Sequence, residues 1–361
     1  MFSKDETVKV KGIAILLLMF HHLFYNADRV AQSGMRFLWF SEEQIQPIAI
    51  AARICVWIFV FLSAYGLTYS YNKNRQTETT LQFMVKHWLS LMKTYWVVYI
   101  VIFVAYFAIV GNPMQIYNNS IISLGLDFMG WANFFDTPMI LSVWWYVCFA
   151  QILVFLIPIF DSYCEKFGMA GYIIGFFVLQ YLPEGIQSAY SGLYSNYFLV
   201  AILAVICVKK QWLDRVLENK KSGIKNVAEC MGLFLVTVFL LIFKFKFAEF
   251  DQWQINSFIS GLAAFLIVII VSKYLQGKIL VGRMSFLGKH SGNMFMIHAF
   301  FYLYLKEILY WSHNSVISYL TLVLLSVMSS IGIEFIKNIL HYDKNITILM
   351  NNVLDRLPGS P

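Results

Sequence analysis

Charge is what this chain has least of. Asp, Glu, Lys and Arg make up 13% of its 361 residues, about half of the ~25% usual for a soluble globular domain. That scarcity excludes a water-solvated enzyme surface. Hydrophobic residues make up 59%, and mean hydropathy is +0.65, so the chain reads as an integral membrane protein. Cysteine is also sparse. The five, Cys55, Cys148, Cys164, Cys207 and Cys230, form no pair with metal-ligand or redox spacing. They read as small apolar packing residues, and no metal is expected. Gly-rich nucleotide loops, internal repeats and low-complexity tracts are absent. The formal charge of +7 would suit nucleic acid, but its distribution assigns it to membrane topology instead. No nucleic-acid partner is expected.

Long apolar runs dominate what remains. A spanning helix needs about 20 mostly apolar residues. Ten segments qualify, near residues 11–27, 48–71, 91–110, 141–160, 169–183, 193–208, 227–247, 256–275, 291–310 and 316–337. With both termini in the cytoplasm, 21 of the 27 basic residues fall inside, as the positive-inside rule requires. Arg29, Arg36, Lys244, Lys246 and Lys306 fall outside, and Arg53 lies within a span. The external loop from Gly111 to Ile140 has no Lys or Arg. The expected fold is therefore an all-α polytopic membrane protein of about ten transmembrane helices. Residues 1–340 form one transmembrane domain and 341–361 a cytoplasmic tail. No small-x-small cleavage site follows the first apolar run, so that run is expected to stay as a span. The basic loop over residues 209–226 reads as a solvated stretch resting on anionic lipid.

Ionisable residues inside lipid are costly and mark sites by default. His21 and His22 close the first apolar run, "KGIAILLLMFHHLF". Lys11 and His22 are eleven residues apart, close to three helical turns, so they share one face about 16 Å apart. His21 projects about 100° away, so the two histidines cannot share one role. A ligand bridging Lys11 and His22 would be long, anionic at one end and reactive at the other, as acyl-coenzyme A is. Arg53 in the second span shares the outer half with His22, where it would favour neutral imidazole or stabilise an oxyanion. Lys289 and His298 repeat the lysine-then-histidine pattern nine residues apart. Each residue also has a plainer reading. Lysines anchor helix ends, Arg53 can snorkel to a lipid phosphate, and Ser63 and Gly66 suit helix packing.

Four blocks, in order, resemble the integral-membrane acyltransferase-3 family. They are the basic residue, ten intervening residues and histidine from Lys11 to His22, "IFVFLSAYGLTYSY", "VWWYVCFAQILVFLIPIF" and "FLGKHSGNMFMIHAFF". The resemblance covers all ten spans. Departures are Ser63-Ala64 where the family has Ser-Gly, Lys11 for the commoner Arg, and a third-span entry with Lys86 and Lys93 but no paired arginines or proline.

The resemblance implies a membrane-bound O-acyltransferase of the bacterial inner membrane, with acetyl-CoA as donor. The acceptor would be a hydroxyl of an exopolysaccharide, another cell-surface glycan or a lipid-linked glycan. His22 would be the base, with Arg53 in electrostatic support. Lys11, Lys86 and Lys93 would bind the donor. Ser63, Trp145, Tyr146 and His298 are supporting residues, the two aromatics as a sugar-stacking pair. The alternative is a transporter or flippase for a lipid-linked sugar, although matched broken helices of the transporter kind are not evident. The lipid bilayer is the one certain partner, and the oligomeric state is open.

Overall fold

The structure is a computed structural model that describes residues 2–180, 192–219, 223–247 and 253–357. Residues 181–183 of the fifth expected segment, Lys220 and Lys221 of the basic loop, and 358–361 of the tail lie outside the described residues. Among the described residues the chain is built of helices, with short 3-10 turns and an isolated parallel bridge from Arg36 to Asn314. Seven helical stretches there are long and apolar enough to cross a membrane. Two of them join neighbouring elements. Glu42–Asn74 unites the helices Glu42–Ala52 and Ile54–Asn74 across Arg53, and Ser142–Val178 takes in the fourth expected segment and most of the fifth. The helices Gly192–Lys210 and Lys278–Tyr304 occupy the sixth and ninth expected positions.

Several helices start earlier than their apolar runs. The first is Lys4–Phe24 rather than 11–27, the third span belongs to Thr80–Ile109, and the ninth to Lys278–Tyr304. Capping explains two of these extensions. The Ser3 side chain accepts the Glu6 amide at 3.1 Å, and Asp5 and Glu6 suit the positive end of the helix dipole. Thr79 and Gln82 cap Thr80–Ile109 reciprocally, as a capping box does. Lys11 therefore lies about two turns inside its helix rather than at its start. Lys86 and Lys93 are helical too. In Trp145–Gln180 the backbone breaks at Gly168, whose φ of 55° and ψ of −133° need a residue without a Cβ. The break falls between the fourth and fifth expected segments.

The chain forms two compact units. The first comprises Met1–Tyr25, Glu43–Tyr69 and Ile157–Ser291. In it Lys4–Phe24 crosses Lys278–Tyr304 backbone to backbone. A Cβ on Gly12 would overlap the Met284 carbonyl oxygen and lie 2.7 Å from its carbon. Lys9, one of the 21 basic residues placed on the cytoplasmic side, has a side chain only 6% exposed. It donates to the Ser272 carbonyl at 3.1 Å and pairs with Glu6 at 2.7 Å. Ser272 lies in the last turn of Trp253–Tyr274, where unpaired carbonyls favour a cation. Lys209 holds the buried Asp161 at 3.0 Å, and Lys273 holds Glu229 at 3.0 Å.

The second unit comprises Asn26–Glu42, Ser70–Leu156 and Gly292–Pro361. Asp127, 1% exposed, organises it. Its carboxylate accepts from the Tyr117 hydroxyl at 2.7 Å and the Ile140 amide at 3.1 Å, while Tyr95 donates to its backbone carbonyl at 2.7 Å. Tyr99 bonds Tyr117 at 2.8 Å. The segment between two spans is thus tied to the helix Thr80–Ile109. Burial pushes the Asp127 carboxyl up to about 7, against the pull of the hydrogen bonds from Tyr117, Ile140 and Tyr95. Burial and the neighbouring Asp127 likewise push the Tyr117 hydroxyl far up.

Candidate active site

The helix Lys4–Phe24 is unbroken, so the phase relation of Lys11 and His22 holds. Both are half-buried. The two histidines have different surroundings. His21 is 7% exposed, and its Nδ1 sits 2.8 Å from the Ala49 carbonyl. A carbonyl only accepts, so Nδ1 carries the proton and His21 is a helix-to-helix tie. His22 meets the edges of His21 and Tyr25 at ring distances of 5.0 and 5.9 Å. Tyr25 stacks on His21 at 4.8 Å. The aromatic pair thus fixes the orientation of the helix end around His22.

Arg53 sits in the turn between Glu42–Ala52 and Ile54–Asn74, one turn after Ala49. The contact of His21 with Ala49 therefore brings the end of the first helix to the depth of Arg53, within one unit. The guanidinium lies 5.8 Å from the Trp57 ring centroid and hydrogen-bonds Tyr197. Ser63 is half-buried in the same unit.

An open groove of about 520 Å³ lies along residues 278–287 of this unit. Lys278, Gly282, Arg283, Met284 and Phe286 line it. Met284 is the residue whose backbone abuts Gly12, the neighbour of Lys11. The groove's lining surface is mostly apolar, and Lys278 and Arg283 are its two cations. They were not singled out in the sequence, where Lys278 and Arg283 count only as topology charges.

The remaining expected residues belong to the second unit. Lys86 pairs with Glu78 at 2.9 Å. Lys93 pairs with Asp343 at 3.7 Å, and its carbonyl accepts from the Tyr342 hydroxyl at 2.9 Å. The helix Tyr342–Leu354 thus packs on the helix Thr80–Ile109. Trp145 and Tyr146 touch at 5.7 Å, and Tyr146 meets Phe295 at 5.3 Å. Their neighbour Trp144 is the buried one, donating from Nε1 to the Met296 carbonyl at 2.9 Å. His298 is fully buried, with Nδ1 at 2.7 Å from the Phe295 carbonyl and Tyr302 at a ring distance of 5.8 Å. Its Nδ1 therefore carries a proton, as in His21. Three features escaped the sequence reading: the Asp127 network, the groove, and Lys244, which lies 4.1 Å from the Trp57 centroid. A carboxylate among aromatics in a loop without basic residues was the signal for the first.

The family model described as an acyltransferase domain matches residues 10–336. The match runs from just before Lys11 to the last apolar helix. No curated protein and no solved structure matches the chain.

Proposed function

The chain belongs to the acyltransferase-3 family, and from that premise we propose that it is a membrane-bound O-acetyltransferase. It moves an acetyl group from acetyl-CoA to a hydroxyl of a cell-surface or lipid-linked glycan at a bacterial inner membrane, with about ten spans and both chain ends in the cytoplasm. The observation that carries this reading is the unbroken first helix, which holds Lys11 and His22 on one face about 16 Å apart. An extended pantetheine arm covers such a span.

His22 takes the proton from the acceptor hydroxyl as its oxygen attacks the thioester carbonyl carbon. The carbon–sulfur bond breaks, the acetyl ester forms, and the coenzyme leaves as a thiol once its sulfur gains a proton. In the first unit Lys11, with Lys278 and Arg283, holds the donor phosphates; in the second unit Lys86 and Lys93 are the donor-binding candidates. Arg53 supplies positive charge at the depth of His22. Ser63 is a supporting residue of the first unit; in the second unit His298 is a supporting residue, and Trp145 and Tyr146 offer a stacking surface to a sugar ring.

The test uses protein purified in nanodiscs, radiolabelled acetyl-CoA, and de-O-acetylated surface polysaccharide from the host strain. The wild type is expected to label the polysaccharide, and a folded His22→Ala variant to lose about 100-fold or more of that rate. Undiminished transfer by the variant overturns the assignment of His22. Absence of transfer by the wild type is the result a flippase gives.

A further inference from the structure

Trp57 is 5% exposed, and its indole N–H has no hydrogen-bond partner among the described residues. Two cations share its ring: the Lys244 ammonium at 4.1 Å and the Arg53 guanidinium at 5.8 Å from the centroid. Tyr197 packs on the same indole at 5.1 Å and receives a hydrogen bond from Arg53. All four residues belong to one unit. Glu6, Asp161, Glu165 and Glu229 of that unit pair with other lysines, and among the described residues neither Arg53 nor Lys244 has an ion pair with a carboxylate.

Such a cluster is unfavourable by itself. Like charges repel, and a buried donor left unmet costs free energy. Both costs turn into gains when an oxyanion enters. A neutral sugar would satisfy the N–H but not the charges. A single carboxylate would balance one cation and leave the other. Two positive charges and additional donors match the two negative charges of a diphosphate diester. The depth agrees: Lys244 lies in the last turn of the helix Ile224–Phe247, and Arg53 interrupts Glu42–Asn74 at the turn between its two helices. Phosphates of lipid-anchored molecules lie where an apolar stretch gives way to water.

We infer that Arg53, Lys244 and Trp57 form a binding site for the diphosphate that tethers a lipid-linked acceptor to the membrane. This deepens the function proposed above and rests on its lipid-linked branch. Arg53 grips the phosphate oxygens through its planar fork, Lys244 supplies the second charge, and the Trp57 N–H donates to a remaining oxygen. The site would hold the acceptor by its anchor, which makes recognition independent of the sugar being acetylated.

The experiment is native mass spectrometry of the purified full chain in detergent, wild type against R53Q/K244Q. The titrants are polyprenyl diphosphate, phosphatidic acid and inorganic diphosphate. Wild type is expected to retain polyprenyl diphosphate at least about tenfold more tightly than the double variant, and in preference to the other two. Equal retention by the double variant overturns the site. Equal retention of phosphatidic acid by the wild type overturns the tether and marks an ordinary headgroup contact. Equal retention of inorganic diphosphate overturns lipid anchoring. If R53Q/K244Q is not monodisperse, K244Q alone carries the same comparison. The measurement contains no acetyl-CoA, so its failure leaves His22-dependent transfer standing, and failed transfer leaves this site standing.

Discussion

Gly12 and Gly288 face each other where the first helix crosses Lys278–Tyr304. A Cβ on Gly288 would overlap the Val8 carbonyl oxygen and lie 3.1 Å from the Gly12 nitrogen. The flanking residues are Lys11 and Lys289, so this crossing sets where Lys11 stands. Backbone has no rotamer with which to yield. The overlap in Gly288→Ala should therefore cost at least the upper end of the usual ~1–3 kcal/mol for overpacking. A gain of about 1 kcal/mol in helix propensity opposes it, leaving a net loss of about 2 kcal/mol. Gly232→Ala, in a helix and with nothing within 4 Å, should be neutral or slightly stabilising. Thermal unfolding in detergent distinguishes the two, and equal midpoints would show that the crossing is not tight.

The histidine doublet divides by its contacts. His21→Ala removes the bond to Ala49 and should cost about 1 kcal/mol of stability, with transfer per folded molecule retained. His22→Ala should show the reverse: a stability near wild type and transfer lost. Measuring the unfolding midpoint and the acetyl-transfer rate on the same preparations checks the split. A loss of transfer confined to His21→Ala would exchange the two roles.

Much of this was legible in the sequence, because the signals are local. Apolar run length gives spans, and a separation of eleven residues gives one helical face whatever surrounds it. Helix edges were misjudged because hydropathy marks the lipid-facing part of a helix, whereas its ends are set by caps. Ser3-x-x-Glu6 and Thr79-x-x-Gln82 stand in the sequence as capping signatures. The burial of Lys9 has no local signal, because its partner, the Ser272 carbonyl at a helix end, is distant in the chain. The same distance hid Lys244 from Trp57, and Tyr95 and Ile140 from Asp127. Pairing across the fold has no local signature, so polar residues looked alike whether they were paired or poised.

Lys209 and Asp161 form such a hidden pair. The Asp161 side chain is 1% exposed and Lys209 stands 3.0 Å away, with the exposed Glu165 at 3.4 Å. Removing the cation takes from a buried carboxylate its ion-pair partner at 3.0 Å, a loss of up to about 3–5 kcal/mol. Lys209→Met should accordingly lower the unfolding midpoint strongly. Adding Asp161→Leu should recover most of the loss, since the stranded charge is then gone. Glu165→Gln should change little, because an exposed partner contributes at most about 1 kcal/mol. A double variant no more stable than Lys209→Met would mean that the pair is not what Lys209 supports.

Asp127 gives a pH dependence whose sign follows from its raised carboxyl. In the unfolded chain the group ionises near its ordinary value of 3.8, and in the fold near about 7. Between those values the folded state holds a proton that the unfolded state has released. Stability from this group is therefore full below about pH 4 and falls as pH rises towards 7. The total change is on the order of a few kcal/mol, at 1.36 kcal/mol per unit. Other groups titrate over the same range, so the difference between wild type and Asp127→Asn isolates the contribution. The variant keeps an acceptor for the Tyr117 hydroxyl and cannot ionise. It should lose stability relative to wild type at pH 5, where the protonated carboxyl fits the network, and regain much of the deficit at pH 8. Unfolding midpoints of both proteins from pH 4.5 to 8 decide the matter. A constant offset between the two curves would mean that Asp127 does not change its proton occupancy on folding over that range.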